Sequence, residues 1–414
     1  MERAVTQPEL VADGILESSP RARGCSTRQG RIVQVDFLRG VAVLLVIGHH
    51  AVIQPRNAGV FQPFSRFLER FGWTGVELFF VLSGFLIGGL LFKEIRARGQ
   101  LDAKRFLIRR AFKIWPNYVA LLALAGLYEL WKHQWNVRLL AHRIWPCILH
   151  VQNYFWSIRT HLWSLSVEEH FYLLLPLLLL ILTRKRLGMT AIPAIPWIAF
   201  GLTTFCLILR CSHYGDPDHT KVYAPTHFRL DSLFWGVFLS YLYNYSPQFS
   251  QFMRRIRWWA ILLGLGLVSP MMFIDVEKPF VWTIGFTLLS FGYGLILLGS
   301  LFAAVENTKR CLSSVRWIVN AVAFVGFYSY SVYLWHMDGA RYRLMSALEH
   351  GFLGGLKPSL RWFVIEALYV VMAVTVGVIV AKLVELPAIA VRDRLFPARS
   401  RIWTPIIAEA AKKT

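Results

Sequence analysis

Runs of about 20 apolar residues, the length an α-helix needs to cross a hydrocarbon layer of about 30 Å, recur along this chain of 414 residues. Windows of about 19 residues place them near 34–54, 73–92, 111–131, 163–183, 190–210, 227–246, 258–275, 280–304, 320–338 and 362–385. Within lipid each backbone N–H and C=O must find its partner inside its own segment, which leaves helices as the form such runs take. The composition agrees, with 56% hydrophobic and only 17% charged residues. The expected fold is an all-α integral membrane protein, a polytopic bundle of about ten transmembrane helices.

The net charge of +21 does not point to nucleic acid, because the basic residues alternate with apolar spans instead of gathering on one soluble domain. Assigning both tails and alternate loops to the cytoplasm gives that side 29 Lys and Arg against 15 on the other, with Arg39 inside a span. That excess predicts both termini cytoplasmic in a multi-pass protein of the inner (plasma) membrane. The densest group, Lys93 to Lys113, lies between the second and third spans and suits anionic membrane lipid. Residues 1–31 read as a flexible cytoplasmic tail with no apolar core for a cleavable signal. Residues 32–390 read as the membrane domain and 391–414 as a second cytoplasmic tail. Five cysteines, Cys25, Cys147, Cys206, Cys211 and Cys311, lack CxxC spacing and paired histidines, so neither a disulfide framework nor a metal site is expected.

The first span, DFLRGVAVLLVIGHH over Asp36–His50, carries four residues that a purely lipid-facing helix would omit. On a helix the 11 steps from Arg39 to His50 turn through three circles plus about 20° and rise about 16 Å. Both side chains, with Asp36, therefore share one stripe, and His50 sits near mid-depth when Arg39 is at the boundary. Ionisable groups at that depth cost about 2.5 kcal/mol or more and normally face a cavity or a partner. A bland alternative pairs Asp36 with Arg39 and leaves His50 hydrogen-bonded within the bundle. His49 points to another face and reads as a packing residue.

Further motifs follow in order: GVELFFVLSGFLIG at 75–88, FLIRRAFKIWPNY at 106–118, HLWSLSVEEHFYLLLPL at 161–177, FRLDSLFWG at 228–236 and YSYSVYLWH at 328–336. Together with the first span, from about residue 31 to 390, they resemble the membrane-bound acyltransferase-3 family. Its members move an acyl group from cytoplasmic acyl-CoA to an acceptor, usually a sugar, and its hallmark of a basic residue and a histidine with ten residues between them is matched by Arg39 and His50. The resemblance implies acyl-CoA, by default acetyl-CoA, as co-substrate with no bound cofactor, and a carbohydrate or glycoconjugate acceptor outside the cytoplasm.

On that basis His50 is the expected general base, since neutral imidazole can take a hydroxyl proton near neutral pH. Glu168, one turn before Tyr172 on the same face, is expected to orient an imidazole or bind the acceptor; helix capping is its alternative. Arg109 and Arg110 are expected at coenzyme phosphates, with anionic lipid as the rival partner, and Lys113 stands where the family more often has arginine. Asp36, Arg39, Ser83 and Tyr118 complete the implied acyl-CoA site. Trp163, Tyr172 and His336 form the implied acceptor site, although an interfacial aromatic cluster would equally explain His336. Gly84 and Gly88 permit close helix packing. Glu77 replaces the family's usual aspartate, and Arg229 and Asp231 are expected to pair across helices or with a loop. A transporter with a buried Arg/His/Glu relay is the alternative function, without inverted repeats to support it.

Overall fold

A computed structural model describes residues 32–51, 58–155, 157–183, 192–216, 218, 220–307, 313–337, 346–348, 351 and 353–397. The expected N-terminal tail, residues 1–31, lies outside them, as do Cys25, Cys311 and residues 398–414.

The described residues contain helices and no strand. In order they are α1 (Val33–Ala51), α2 (Gln62–Phe71), α3 (Gly75–Arg98), α4 (Ala103–Lys132), α5 (Val137–Ile148), α6 (Trp163–Thr183), α7 (Ala194–Ser212) and α8 (Thr220–Tyr223). Then come α9 (Leu230–Tyr245), α10 (Pro247–Val268), α11 (Phe286–Asn307), α12 (Ser313–Phe327), α13 (Ser329–Trp335), α14 (Pro358–Val380) and α15 (Leu386–Leu395). Each of the ten apolar stretches contains helix. Among the described residues, however, six helical segments are long and apolar enough to cross a membrane, or seven if α12 and α13, which meet at 65°, count as one broken span. The shortfall has visible causes. Past its basic first turns α4 still carries Lys113, Asn117 and Glu129, α10 carries Arg254, Arg255 and Arg257, and α9 has 16 residues. The protein is a multi-pass membrane helix bundle with that number of candidate crossings.

Local signals set the ends. Gly99, at φ 71°, closes α3 in the left-handed conformation that glycine adopts freely. Asp102 then caps α4 by accepting the Arg105 N–H at 3.0 Å. Ser246 caps α10, with Pro247 at its first position.

The bundle is drawn together where glycines let backbones touch. A Cβ on Gly84 would lie 1.9 Å from the Leu233 carbonyl oxygen, which fixes the α3–α9 crossing, and one on Gly326 would lie 1.7 Å from the Asp36 carbonyl oxygen, which fixes α12 on α1. Beside the first crossing Arg229 donates to Glu77, Ser232 Oγ donates to the other carboxylate oxygen at 2.6 Å, and Arg210 pairs with Asp231 at 2.7 Å. The C-terminal stretch expected as a tail from residue 391 is helical to Leu395. There Arg105 and Arg109 donate to the carbonyls of Pro397 and Phe396, which ties α15 to α4.

Candidate active site

Helices α1, α3, α4, α6 and α13 enclose a cavity of about 280 Å³ near the basic end of α4. Arg39, Arg110 and Lys113 supply its cations and Glu168 its carboxylate, on walls formed by Val76, Phe79, Phe80, Leu82, Leu86 and Ile87. Glu168 accepts from Ser83 Oγ at 2.9 Å and from the Tyr172 hydroxyl at 2.6 Å, the second contact following from their one-turn spacing. The Arg110 guanidinium stands 5.5 Å from the Tyr172 ring centre. Arg39 Nε donates to Ser329 Oγ at 3.2 Å, and Lys113 donates to Glu385. Arg110 and Lys113 share a face because they lie three positions apart on the helix. Arg109, one step round the helix, faces α15 instead and meets Asp393 at 3.1 Å.

A second cavity, of about 290 Å³, is lined by His49, His50, Trp73, Thr160, His161, Trp163 and Tyr223. Within it His50 Nδ1 lies 2.9 Å from the Val46 carbonyl oxygen and 3.2 Å from Nε2 of His336. His336 is fully buried, and its own Nδ1 lies 2.5 Å from the Tyr333 carbonyl oxygen. Carbonyls only accept, so each Nδ1 carries the proton. Assigned this way from its neighbours, the network has His50 Nδ1–H shared between the Val46 carbonyl and the lone pair on His336 Nε2, and the basic lone pair of neutral His50 is on Nε2. His161 packs at 5.2 Å from the His336 ring and meets the Leu334 carbonyl through Nε2 at 3.2 Å. Despite these histidines, among the described residues no three His, Cys, Asp or Glu side chains converge as metal ligands would.

The aromatic wall of the second cavity is backed by charge. The Arg229 guanidinium, itself paired with Glu77, lies 5.5 Å from the Trp163 ring, 5.4 Å from Tyr223 and 3.7 Å from Phe286, within cation–π range of all three.

The residues singled out from the sequence thus separate into two groups. Arg39, Ser83, Arg110, Glu168 and Tyr172 line the basic cavity, whereas His50 and Trp163 line the histidine cavity. Glu168 is not beside His50; the partners given above for that imidazole are Val46 and His336. Tyr172 joins Glu168 in place of the acceptor-side group, and His336 stands behind His50 without lining either cavity. Asp36 and Arg109 lie outside both linings. So does Tyr118, whose buried hydroxyl donates to the Cys147 carbonyl at 2.9 Å.

Sequence reasoning gave no site role to His49, Lys113, His161, Ser164 and Tyr333, all of which line a cavity. The helix angle that turns His49 away from His50 ignores a neighbour. At Gly72 an added Cβ would lie 2.8 Å from the His49 Cβ, and His49 Nδ1 reaches the Glu69 carbonyl at 2.8 Å. Lys113 was legible from its spacing to Arg110, and Tyr333 from its place three residues before His336.

Comparison with known proteins gives a consistent result. A family model described as "Acyltransferase domain" matches residues 32–382. A Staphylococcus aureus (strain COL) protein whose name, O-acetyltransferase, is itself provisional is 29% identical over 82% of this chain and 55% of its own length. The peptidoglycan O-acetyltransferase OatA of Listeria monocytogenes (strain EGD-e) is 26% identical over 75% of this chain and 50% of its own. The O-acetyltransferase OatA of Staphylococcus aureus (strain NCTC 8325) is 25% identical over 73% and 49%. The chain spans about half the length of these curated relatives. No solved structure matches it.

Proposed function

Because the chain belongs to the acyltransferase domain family, we propose that this multi-pass membrane protein is an O-acyltransferase that moves an acyl group, acetyl by analogy with its relatives, from acyl-CoA to a hydroxyl of a cell-envelope carbohydrate. Its home is the inner (plasma) membrane, with both termini and the basic cavity on the cytoplasmic side. The observation that carries this reading is the pairing of two cavities of opposite chemistry, one basic and one lined by histidine and aromatic side chains.

Arg39, Arg110 and Lys113 draw the coenzyme phosphates to the mouth of the basic cavity, and the pantetheine arm runs past Ser83 and Glu168 with the thioester leading. An acceptor sugar enters the other cavity, where Trp73, Trp163 and Tyr223 offer flat faces. His50 Nε2 takes the acceptor's hydroxyl proton as its oxygen attacks the thioester carbonyl. The C–S bond then breaks, and the thiolate leaves with the proton that His50 held. The Val46 carbonyl and His336, itself fixed by the Tyr333 carbonyl, together hold His50 in the tautomer and orientation that can do this.

Purified protein supplied with acetyl-CoA and an envelope glycan is expected to release free coenzyme thiol and acetylate the glycan. His50→Ala is expected to lower the rate by about 100-fold or more at unchanged protein abundance. Undiminished activity in that variant would remove His50 as the base.

A further inference from the structure

The two cavities have two lining residues in common, Val76 on α3 and Tyr333 on α13. The Tyr333 hydroxyl is tethered on both sides. It lies 2.5 Å from Ser164 Oγ, which lines the basic cavity, and donates to the carbonyl of His161, which lines the other, at 2.8 Å. Its ring stands edge-on to Phe79 at 6.0 Å and tilted against His336 at 5.5 Å. A side chain held at its tip by one residue from each chamber, with its ring wedged between α3 and the histidines, forms a wall across a route that would otherwise join them.

We propose that Tyr333, with Val76 as the other residue the cavities share, is the partition between the two chambers, and that it keeps water from the acceptor side off the thioester until a hydroxyl is in place. The consequence for water rests on the acyl-transfer reading; the partition itself does not. Removing the ring would let water attack the thioester carbonyl, so that the C–S bond breaks, a carboxylic acid forms and the proton leaves on the coenzyme thiol. Excluding water from a reactive acyl group is a general function of closed active sites.

The test uses the full chain with its native cysteines replaced, carrying Leu86→Cys in the wall of the basic cavity, reconstituted in vesicles. An anionic, membrane-impermeant methanethiosulfonate is applied to each face in turn. With Tyr333 present, the introduced sulfhydryl should react from one face; after Tyr333→Ala it should react from both. Val76→Ala, a milder change that thins the same wall from α3, should give the same result if Tyr333→Ala fails to fold. Reaction from both faces with Tyr333 intact, or from one face in every folded variant, overturns the proposal. In parallel, acetyl-CoA hydrolysis without acceptor should rise at least about fivefold in Tyr333→Ala and much less in Tyr333→Phe, which keeps the ring. If labelling switches while no variant turns over acetyl-CoA, the partition stands and the acyl-transfer reading fails.

Discussion

At the scale of single residues, the hydrogen-bond order from Tyr333 through His336 to His50 gives His336 a positioning role on the proposed acyl-transfer reading. On that reading, His336→Ala is expected to lower kcat by roughly tenfold or more with little change in KM for acyl-CoA, since it would disturb the proposed base and not the proposed donor cavity. His336→Gln, whose side-chain carbonyl can accept from His50 Nδ1–H, should recover part of that loss. Steady-state kinetics on the three proteins decide the matter. The neighbouring arginines give a sharper contrast. Arg110→Ala should raise KM for acyl-CoA about tenfold, the scale of a charge-assisted phosphate contact, while Arg109→Ala, whose side chain is committed to Asp393 and the Phe396 carbonyl, should not. A sequence shows both arginines equally well. Which of them faces the cavity depends on where α15 lies, and adjacent positions on a helix do not reveal that.

Among the helices, α13 has seven residues and could not stand alone in a membrane. It is held because other elements take up its polar groups. Asn117 donates to Ser331 at 2.6 Å and Trp335 donates to Asn117 at 2.8 Å, while Tyr330 donates to the Ile114 carbonyl at 2.7 Å. The carbonyls freed at its end are met by His161 and His336, in keeping with the rule that irregular backbone survives at membrane depth only where protein satisfies it. The helical stretches were legible because apolar length is a local property. The bend before Ser329 was not, since no proline marks it and Gly326, two residues before Tyr328, signals close packing as readily as a break. The α3–α9 crossing shows the opposite case, in which Gly84 and Gly88 had signalled close packing. With a Gly84 Cβ only 1.9 Å from the Leu233 carbonyl oxygen, Gly84→Leu must push the helices apart. It should cost about 1–3 kcal/mol or more, measurable as a lower midpoint of thermal unfolding in detergent.

Across the whole molecule, charge bias and the ten apolar stretches predict that the α3–α4 turn and the loop after α7 lie on opposite faces. Gln100→Cys and Asp216→Cys, each the single cysteine of its chain, should therefore react with an impermeant maleimide from opposite sides of a sealed vesicle. Labelling from one side would overturn the ten-span arrangement. The helical stretches were legible in the sequence, and so were the ionisable residues among those that line the cavities, Arg39, His50, Arg110 and Glu168, because membrane depth makes such groups conspicuous. The sequence could not reveal that Arg39 and His50, aligned on one stripe of α1, open into different chambers, since that division is made by side chains from α3 and α13. The common wall also sets a rule for ligand design. A compound meant to fill both chambers has to be shaped like a dumbbell, with a polyanionic lobe, a flat polar lobe and a waist thin enough to pass between an isopropyl group and the edge of a phenol; a rigid rod of even girth would fit neither end.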